Sequence, residues 1–476
     1  MNNRGRWKCT AAVAVLAAAV GAGQAARAQT GDSEPSSPPT PAPGEPPQPN
    51  LNAPDDGAAD SAVDPFAKIA ELEARLDQQQ SVIVGRQPRV IVGGYLDLGF
   101  FAAQGNGAGI IRDQANLFFP QYAGRYGWVF LGDILAPAVN TRGEVASLGD
   151  ATGAPGRFDS IHAGGAPSFI ANEVNLNLTS GLGPSAIATA SVNFTPRSGS
   201  NFSLGDVFDV DIAQLEWMLG REQKTSIFVG KVDSVIGIEY RERKSNQRYG
   251  ITPSLIARYT TGTAVGLKAR SKLGPDDLIV LAGAVTNGSF TQEMFHFYNE
   301  IDTNLGKTLS GRVSLHPPLP VDMELGGSGS WGAQDRSPNS DGKMWFAGAD
   351  FQLRTRYADL KAQWLKGHAP GDATNAVYGL DLHGGGYVEL DAFLLPHFGV
   401  LARGEYRDAF VWLGDATTPL TANRAYLTKS WRATGGVHVS FSDRIVLKAE
   451  YLWNGEYDGV PNIPDNVFTS SLVLIE

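Results

Sequence analysis

The chain has 476 residues, a formal net charge of −10, 42% hydrophobic and 9% aromatic residues, 56 glycines and a single cysteine. Its acidity argues against a nucleic-acid binder, and one thiol, Cys9, allows no disulfide within the chain. A helical membrane protein needs apolar runs of about 18–20 residues, which the chain lacks beyond its first segment, and its mean hydropathy of −0.15 is that of a polar protein.

At the N-terminus Arg4, Arg6 and Lys8 precede an apolar run from Ala11 to Val20, and Ala26-Arg27-Ala28 follows as a small-residue cleavage site. This pattern predicts a signal peptide over residues 1–28, cut before Gln29. Cys9 lies before the apolar run, so it is not placed as the acylated cysteine of a lipoprotein.

Residues 29–63 are rich in Pro, Ser, Asp and Gly, include Pro38-Pro39 and Pro46-Pro47, and carry acidic residues that no Lys or Arg balances. Such a segment buries too little to fold and is expected to be a disordered, extended spacer. It would either reach toward cell-wall polymer or serve as a tether with no specific partner.

Asp64 and Pro65 then supply an N-cap and a first helical position, and Phe66, Ile69, Leu72, Leu76 and Ile83 follow at near-helical spacing. Within residues 64–88 this predicts a short amphipathic helix from about Pro65 to Gln80. Ile69, Leu72, Leu76 and Ile83 fit a heptad frame, but two heptads do not hold an isolated coiled coil. The helix therefore either joins a trimer that barrels already hold together, or packs on its own barrel or plugs its mouth.

From Arg89 to Glu476 one pattern recurs: roughly ten residues of alternating apolar and polar side chains closed by a Gly, Pro, Asp or Asn turn. In residues 445–454, Ile445, Leu447, Ala449, Tyr451 and Trp453 share one face, and Lys448, Glu450 and Asn454 the other. Lipid suits the first face and water the second, so the fold class is all-β, a transmembrane antiparallel up-and-down barrel.

Strands are expected near 89–101, 124–135, 168–180, 186–196, 207–220, 224–233, 262–273, 276–288, 306–316, 320–332, 345–355, 357–367, 377–395, 397–412, 429–442, 444–456 and 466–475. An even count is the rule for bacterial barrels, and about 22–25 residues per strand with its connection gives 16 strands, or failing that 18. Short connections, such as Gly183-Pro184, Pro396-His397 and Ser442-Asp443-Arg444, would mark the periplasmic rim. Long ones, 234–261 and 289–305 among them, would mark the outside. Aromatic clusters such as Tyr451 with Trp453 suit interfacial girdles.

A barrel of about 16 strands is wide enough for water, and selectivity then rests on charges at its narrowest ring. Alternation places Arg403, Glu405 and Arg407, then Arg432 and His438, then Lys448 and Glu450 on the lumen face. Each is either a conductance-setting charge or a filler that keeps the lumen wet. The densest charged stretch, Glu239 to Arg248, lies in a connection. Folded into the pore it would concentrate anions near Arg241, Arg243, Lys244 and Arg248; left outside it is a solvated loop whose charges partly cancel.

A signal peptide, a short coiled-coil-like segment (Ile69, Leu72, Leu76), a Gly-rich opening strand (Gly93-Gly94-Tyr95-Leu96-Asp97-Leu98-Gly99) and alternating strands to the end resemble the Gram-negative outer-membrane porins. In layout they are loosely similar to the phosphate-selective porin group. The resemblance implies a water-filled channel embedded in outer-membrane lipid, commonly a homotrimer, through which small hydrophilic solutes or ions diffuse passively. Two departures stand out: the chain ends Leu474-Ile475-Glu476 rather than on an aromatic residue, and no regular ladder of arginines is evident. Phosphate selectivity is not implied.

Catalysis and cofactors are not expected. His438-Val439-Ser440 resembles the His-x-Ser of outer-membrane phospholipases, but Phe441-Ser442-Asp443 follows where that motif has Asn-Gly, and the pair faces the lumen. The seven histidines show no metal spacing, and Asp206, Asp209 and Asp211, without a calcium-loop glycine or terminal Glu, read as strand-edge polarity. The alternative to a channel is a barrel with a closed lumen that tethers outer membrane and cell wall; a secreted soluble β-protein is a third reading.

Overall fold

Alternation of apolar and polar residues gives each strand two unlike faces, and sixteen such strands close on themselves. The computed structural model describes residues 90–103, 110–111, 138–139, 168–194, 208–291, 305–333, 342–372, 377–413, 426–458 and 466–476. The expected signal peptide, spacer, N-terminal helix and the strand near 124–135 lie outside the described residues.

In chain order the strands are β1 (Val90–Ala103), β2 (Ile110–Ile111), β3 (Ala138–Val139), β4 (Ser168–Gly181), β5 (Ala186–Phe194), β6 (Phe208–Leu219), β7 (Thr225–Asp233), β8 (Thr263–Leu273) and β9 (Ile279–Thr286). They continue as β10 (Thr308–Leu315), β11 (Asp322–Ala333), β12 (Lys343–Arg354), β13 (Ala358–Asp372), β14 (Val377–Leu395), β15 (Phe398–Leu413), β16 (Tyr426–Ser442), β17 (Ile445–Glu456) and β18 (Val467–Ile475). β2 and β3 pair only with each other; the rest form the barrel.

Every barrel strand is antiparallel to its neighbours, and the seam is β1 against β18, with Tyr95 opposite Ile475 and Ala103 opposite Val467. Closure leaves no edge among the sixteen barrel strands without a partner, the condition for backbone placed in hydrocarbon. Short turns at 182–185, 220–224, 274–278, 316–321, 355–357, 396–397 and 443–444 occupy one end, together with Glu476, whose backbone bonds Gly94. The connections 104–167, 195–207, 234–262, 287–307, 334–342, 373–376, 414–425 and 457–466 leave from the other.

The outward face is apolar. On β15 the inward Leu401, Arg403, Glu405, Arg407 and Ala409 are buried, while the outward Tyr406 is exposed. Leu215, Val229, Leu267, Leu281, Val313, Leu325, Val388 and Val437 likewise stand exposed around the wall. Bare apolar surface on this scale marks contact with lipid rather than water. Near the long-loop end Trp331 pairs with Trp345, Trp364 donates a 3.0 Å hydrogen bond to the Tyr406 hydroxyl, and Tyr451 lies 4.7 Å from Trp453. Amphipathic rings on the outer face form the girdle expected at a membrane interface.

Candidate functional site

Residues 234–262, between β7 and β8, fold into the barrel instead of projecting from its end. Their bonds run to inward side chains of β1, β4–β6, β11, β13 and β15–β17. The segment contains a 3-10 turn, Glu239–Glu242, and one short helix, α1 (Ala257–Thr260).

Both ends of this loop are anchored by apolar packing. Val235, Ile236, Ile256 and Tyr259 join Phe228 and Val232 of β7, Phe290 of the next long connection, Phe346 of β12, Leu365 of β13, and Leu380 and Leu382 of β14 in one buried cluster. The Tyr259 and Phe346 rings stack at 5.8 Å. A barrel interior gains such a core only where a segment supplies the second apolar surface, at about 1.5–3 kcal/mol per large side chain buried. At Gly237 the backbone turns with φ +70°, and a Cβ there would meet the Gln363 side chain 2.3 Å away. Gln363 uses that close approach to accept bonds from the Ile238 and Glu239 amides at 3.0 and 3.3 Å.

The middle of the loop is held by charge. Arg241 makes a bidentate pair with Glu324 on β11, at 2.7 and 2.9 Å, and Arg312 on β10 shares that carboxylate at 2.7 Å. Arg243 binds Asp211 on β6 at 2.6 Å. Lys244 donates to Asn177 on β4 at 2.9 Å and to Ser191 on β5 at 2.6 Å. Arg248 turns back on the loop and donates to the Arg243 carbonyl at 3.1 Å. Ser245 donates to Asp97 on β1 at 2.5 Å.

The wall candidates meet the same loop from the other side. Glu450 accepts from the Ile251 and Thr252 amides at 2.6 and 3.1 Å and from the Thr252 hydroxyl at 2.8 Å. Glu405 accepts from the Leu255 amide at 2.6 Å. Arg403 joins Glu389, Glu405 and the Thr252 hydroxyl at 3.0, 3.2 and 2.9 Å, and Arg432 donates to the Pro253 carbonyl at 3.1 Å. Lys448 reaches the carbonyls of Ser245, Arg248 and Gly250, the first at 2.6 Å and the last at 3.1 Å. Arg407 is fully buried on the same inward face of β15.

Several partners were not foreseen in the sequence. Lys361 on β13 bonds Glu242 of the loop at 2.7 Å and Glu389 at 2.9 Å, with Asp391 at 3.4 Å. Asp211, read from sequence as strand-edge polarity, points inward and anchors Arg243. Glu324, Gln363 and Asp97 are equally decisive. The available signal was weak: each is a polar residue at an inward position, as are many others that hold nothing. His438, expected on the lumen face, is buried there and stacks 5.2 Å from the Tyr249 ring of the loop.

An apolar cylinder with a charged inner wall and a loop folded across its interior has the architecture of an outer-membrane channel. Among solved structures the chain is similar to the outer membrane channel DcaP of Acinetobacter baumannii, with a TM-score of 0.50 and 10% identity over 83% of this chain and 100% of that one. It is also similar, at TM-score 0.47, to the Vibrio cholerae outer membrane protein OmpT lacking loop L8 (10% identity, 82% of this chain, 100% of that one) and to Salmonella typhi OmpF in complex with daunomycin (9%, 81%, 97%). No family model and no curated protein sequence matches the chain. At such identities it is the fold alone that is shared, a closed antiparallel β-barrel.

Proposed function

We propose that the protein is a passive outer-membrane channel for small hydrophilic solutes or ions, with the loop 234–262 forming the narrowest part of its path. The observation that carries this reading is the pairing of an apolar outer face with an interior wall whose charges secure an inward loop. A barrel built only as an anchor has no need of a charged loop set across its interior. Arg241, Arg243, Lys244, Arg248, Arg403, Glu405, Arg407, Arg432, Lys448 and Glu450 are the residues assigned to this constriction or its support. No catalytic step and no cofactor is assigned to them.

Export through cleavage before Gln29, assembly as a homotrimer and a periplasmic position for the short-turn end complete the proposal. Purified protein reconstituted in a planar bilayer should show stepwise conductance. Persistent silence of folded protein would favour the closed tethering barrel instead. N-terminal sequencing of the outer-membrane form checks the cleavage, and cross-linking in membranes checks the trimer.

A further inference from the structure

We infer that the inward loop is also a clamp on the seam of the barrel: through Ser245 it ties the first strand, β1, to the second-last, β17, so that docking of the loop and closure of the ring are one event. Such a clamp serves closure whether or not the barrel conducts. Its centre is Asp97 on β1, buried on the inner face. One carboxylate oxygen, Oδ1, accepts from Asn172 of β4 at 3.1 Å and from Ser471 of β18 at 2.5 Å; the other, Oδ2, accepts from Ser245 of the loop at 2.5 Å. A bulge turns Asn172 to this position, where the β1–β4 register shifts between Asp97 and Leu98. All three donors are neutral, and losing any one leaves a buried carboxylate short of the hydrogen bonds its burial requires. The bond that closes the seam and the bond that holds the loop thus share one acceptor.

Ser245 is held from both sides of the seam. Its hydroxyl donates to Asp97 on β1, and its carbonyl accepts from Lys448 on β17 at 2.6 Å. Between them stands Ser471 of β18, opposite Gly99 on one side and Lys448 on the other. One loop residue therefore spans two strand spacings, about 9–10 Å. Its neighbours continue on either hand: Lys244 donates to Asn177 of β4 and Ser191 of β5, while the amides of Ile251 and Thr252 donate to Glu450 of β17. The seam bond from Ser471 to Asp97 joins residues 374 apart, whereas the bonds of Ser245 to Asp97 and to Lys448 span 148 and 203. A segment from the middle of the chain divides the longest closure in the barrel into two shorter ones, each with a smaller loss of chain entropy.

The test is hydrogen exchange, read by mass spectrometry, on the folded full-length protein in detergent micelles. Ser245 lies in no strand, yet Ser245→Ala should raise exchange of the β1 and β18 amides about tenfold while those of β9 and β10 keep the wild-type rate. Ser471→Ala should raise exchange of the loop amides 244–252 by a similar factor, because coupling through a shared acceptor is reciprocal. Arg241→Gln frees the same loop at β11, across the ring from the seam, and should leave β18 unchanged. The clamp is overturned if Ser245→Ala leaves β18 at the wild-type rate or speeds exchange equally around the barrel, or if Arg241→Gln opens the seam as much as Ser245→Ala does. A barrel that is silent in a bilayer but shows the expected exchange leaves the clamp standing, so the two readings fail separately.

Discussion

The two ends of the inward loop and its middle are fastened by opposite means. The ends, around Val235–Ile236 and Ile256–Tyr259, sit in an apolar core against β7, β12, β13 and β14. The middle, from Glu239 to Thr252, is tied by ion pairs and amide bonds to Asp211, Glu324, Lys361, Lys448 and Glu450. Apolar packing supplies adhesion without direction, whereas charge-assisted bonds fix position and tolerate water nearby. The difference suggests that the ends keep the loop inside the barrel and the middle sets the shape of the path.

The sharpest way to break that division is at Lys448, whose ammonium serves three loop carbonyls from a buried position. Lys448→Met leaves those three buried carbonyls without their donor, and a loss of about 3–5 kcal/mol is expected. Denaturant unfolding in detergent micelles checks the loss, and noisier single-channel current would report the freed loop. Next comes Ile256→Ala, which opens a cavity in the apolar anchor and should cost about 2–4 kcal/mol in the same measurement. If the division holds, its effect on conductance is smaller than that of Lys448→Met despite the comparable loss of stability.

Glu450→Gln keeps one acceptor oxygen for the amides of Ile251 and Thr252 but removes the charge. About 1–2 kcal/mol should be lost, with a measurable change in ion selectivity. The smallest effect is expected far from the loop, at Asp277 in the 274–278 turn, where a hydrogen bond from Lys272 holds the carboxyl below the usual carboxylate range. A depressed carboxyl contributes stability above its ordinary pKa and loses it as the pH falls through the lowered value. Asp277→Asn should therefore change stability slightly at neutral pH and not at all at strongly acidic pH, read from pH-dependent unfolding. A large effect there would mean that the short-turn end carries more of the fold than its exposure implies.

Much of the wall was legible in the sequence. The strand expected at 377–395 has those bounds in the structure, and the expected connection 234–261 differs from the observed one by a single residue. Of seventeen segments marked as strands, sixteen coincide with the barrel strands, and the remaining one, near 124–135, lies outside the described residues. The candidate charges were half legible. Arg403, Glu405, Arg432, Lys448 and Glu450 were placed on the inner face by alternation alone, and their bonds to the loop are new. The same alternation gave Asp211, Glu324 and Gln363 no distinction from any other inward polar residue.

The alternating pattern by itself determined that the chain forms a barrel, which side chains face outward and roughly where each strand turns, because strand periodicity and turn chemistry act over a few residues. Whether the charged stretch 239–248 lies inside or outside, and which carboxylate answers which cation, was decided only on closure. Arg241 and Glu324, or Lys448 and the carbonyl of Ser245, stand 83 and 203 residues apart and meet because the ring of strands brings its far sides around one loop. A local pattern carries no information about such partners; their pairing is a property of the closed circumference.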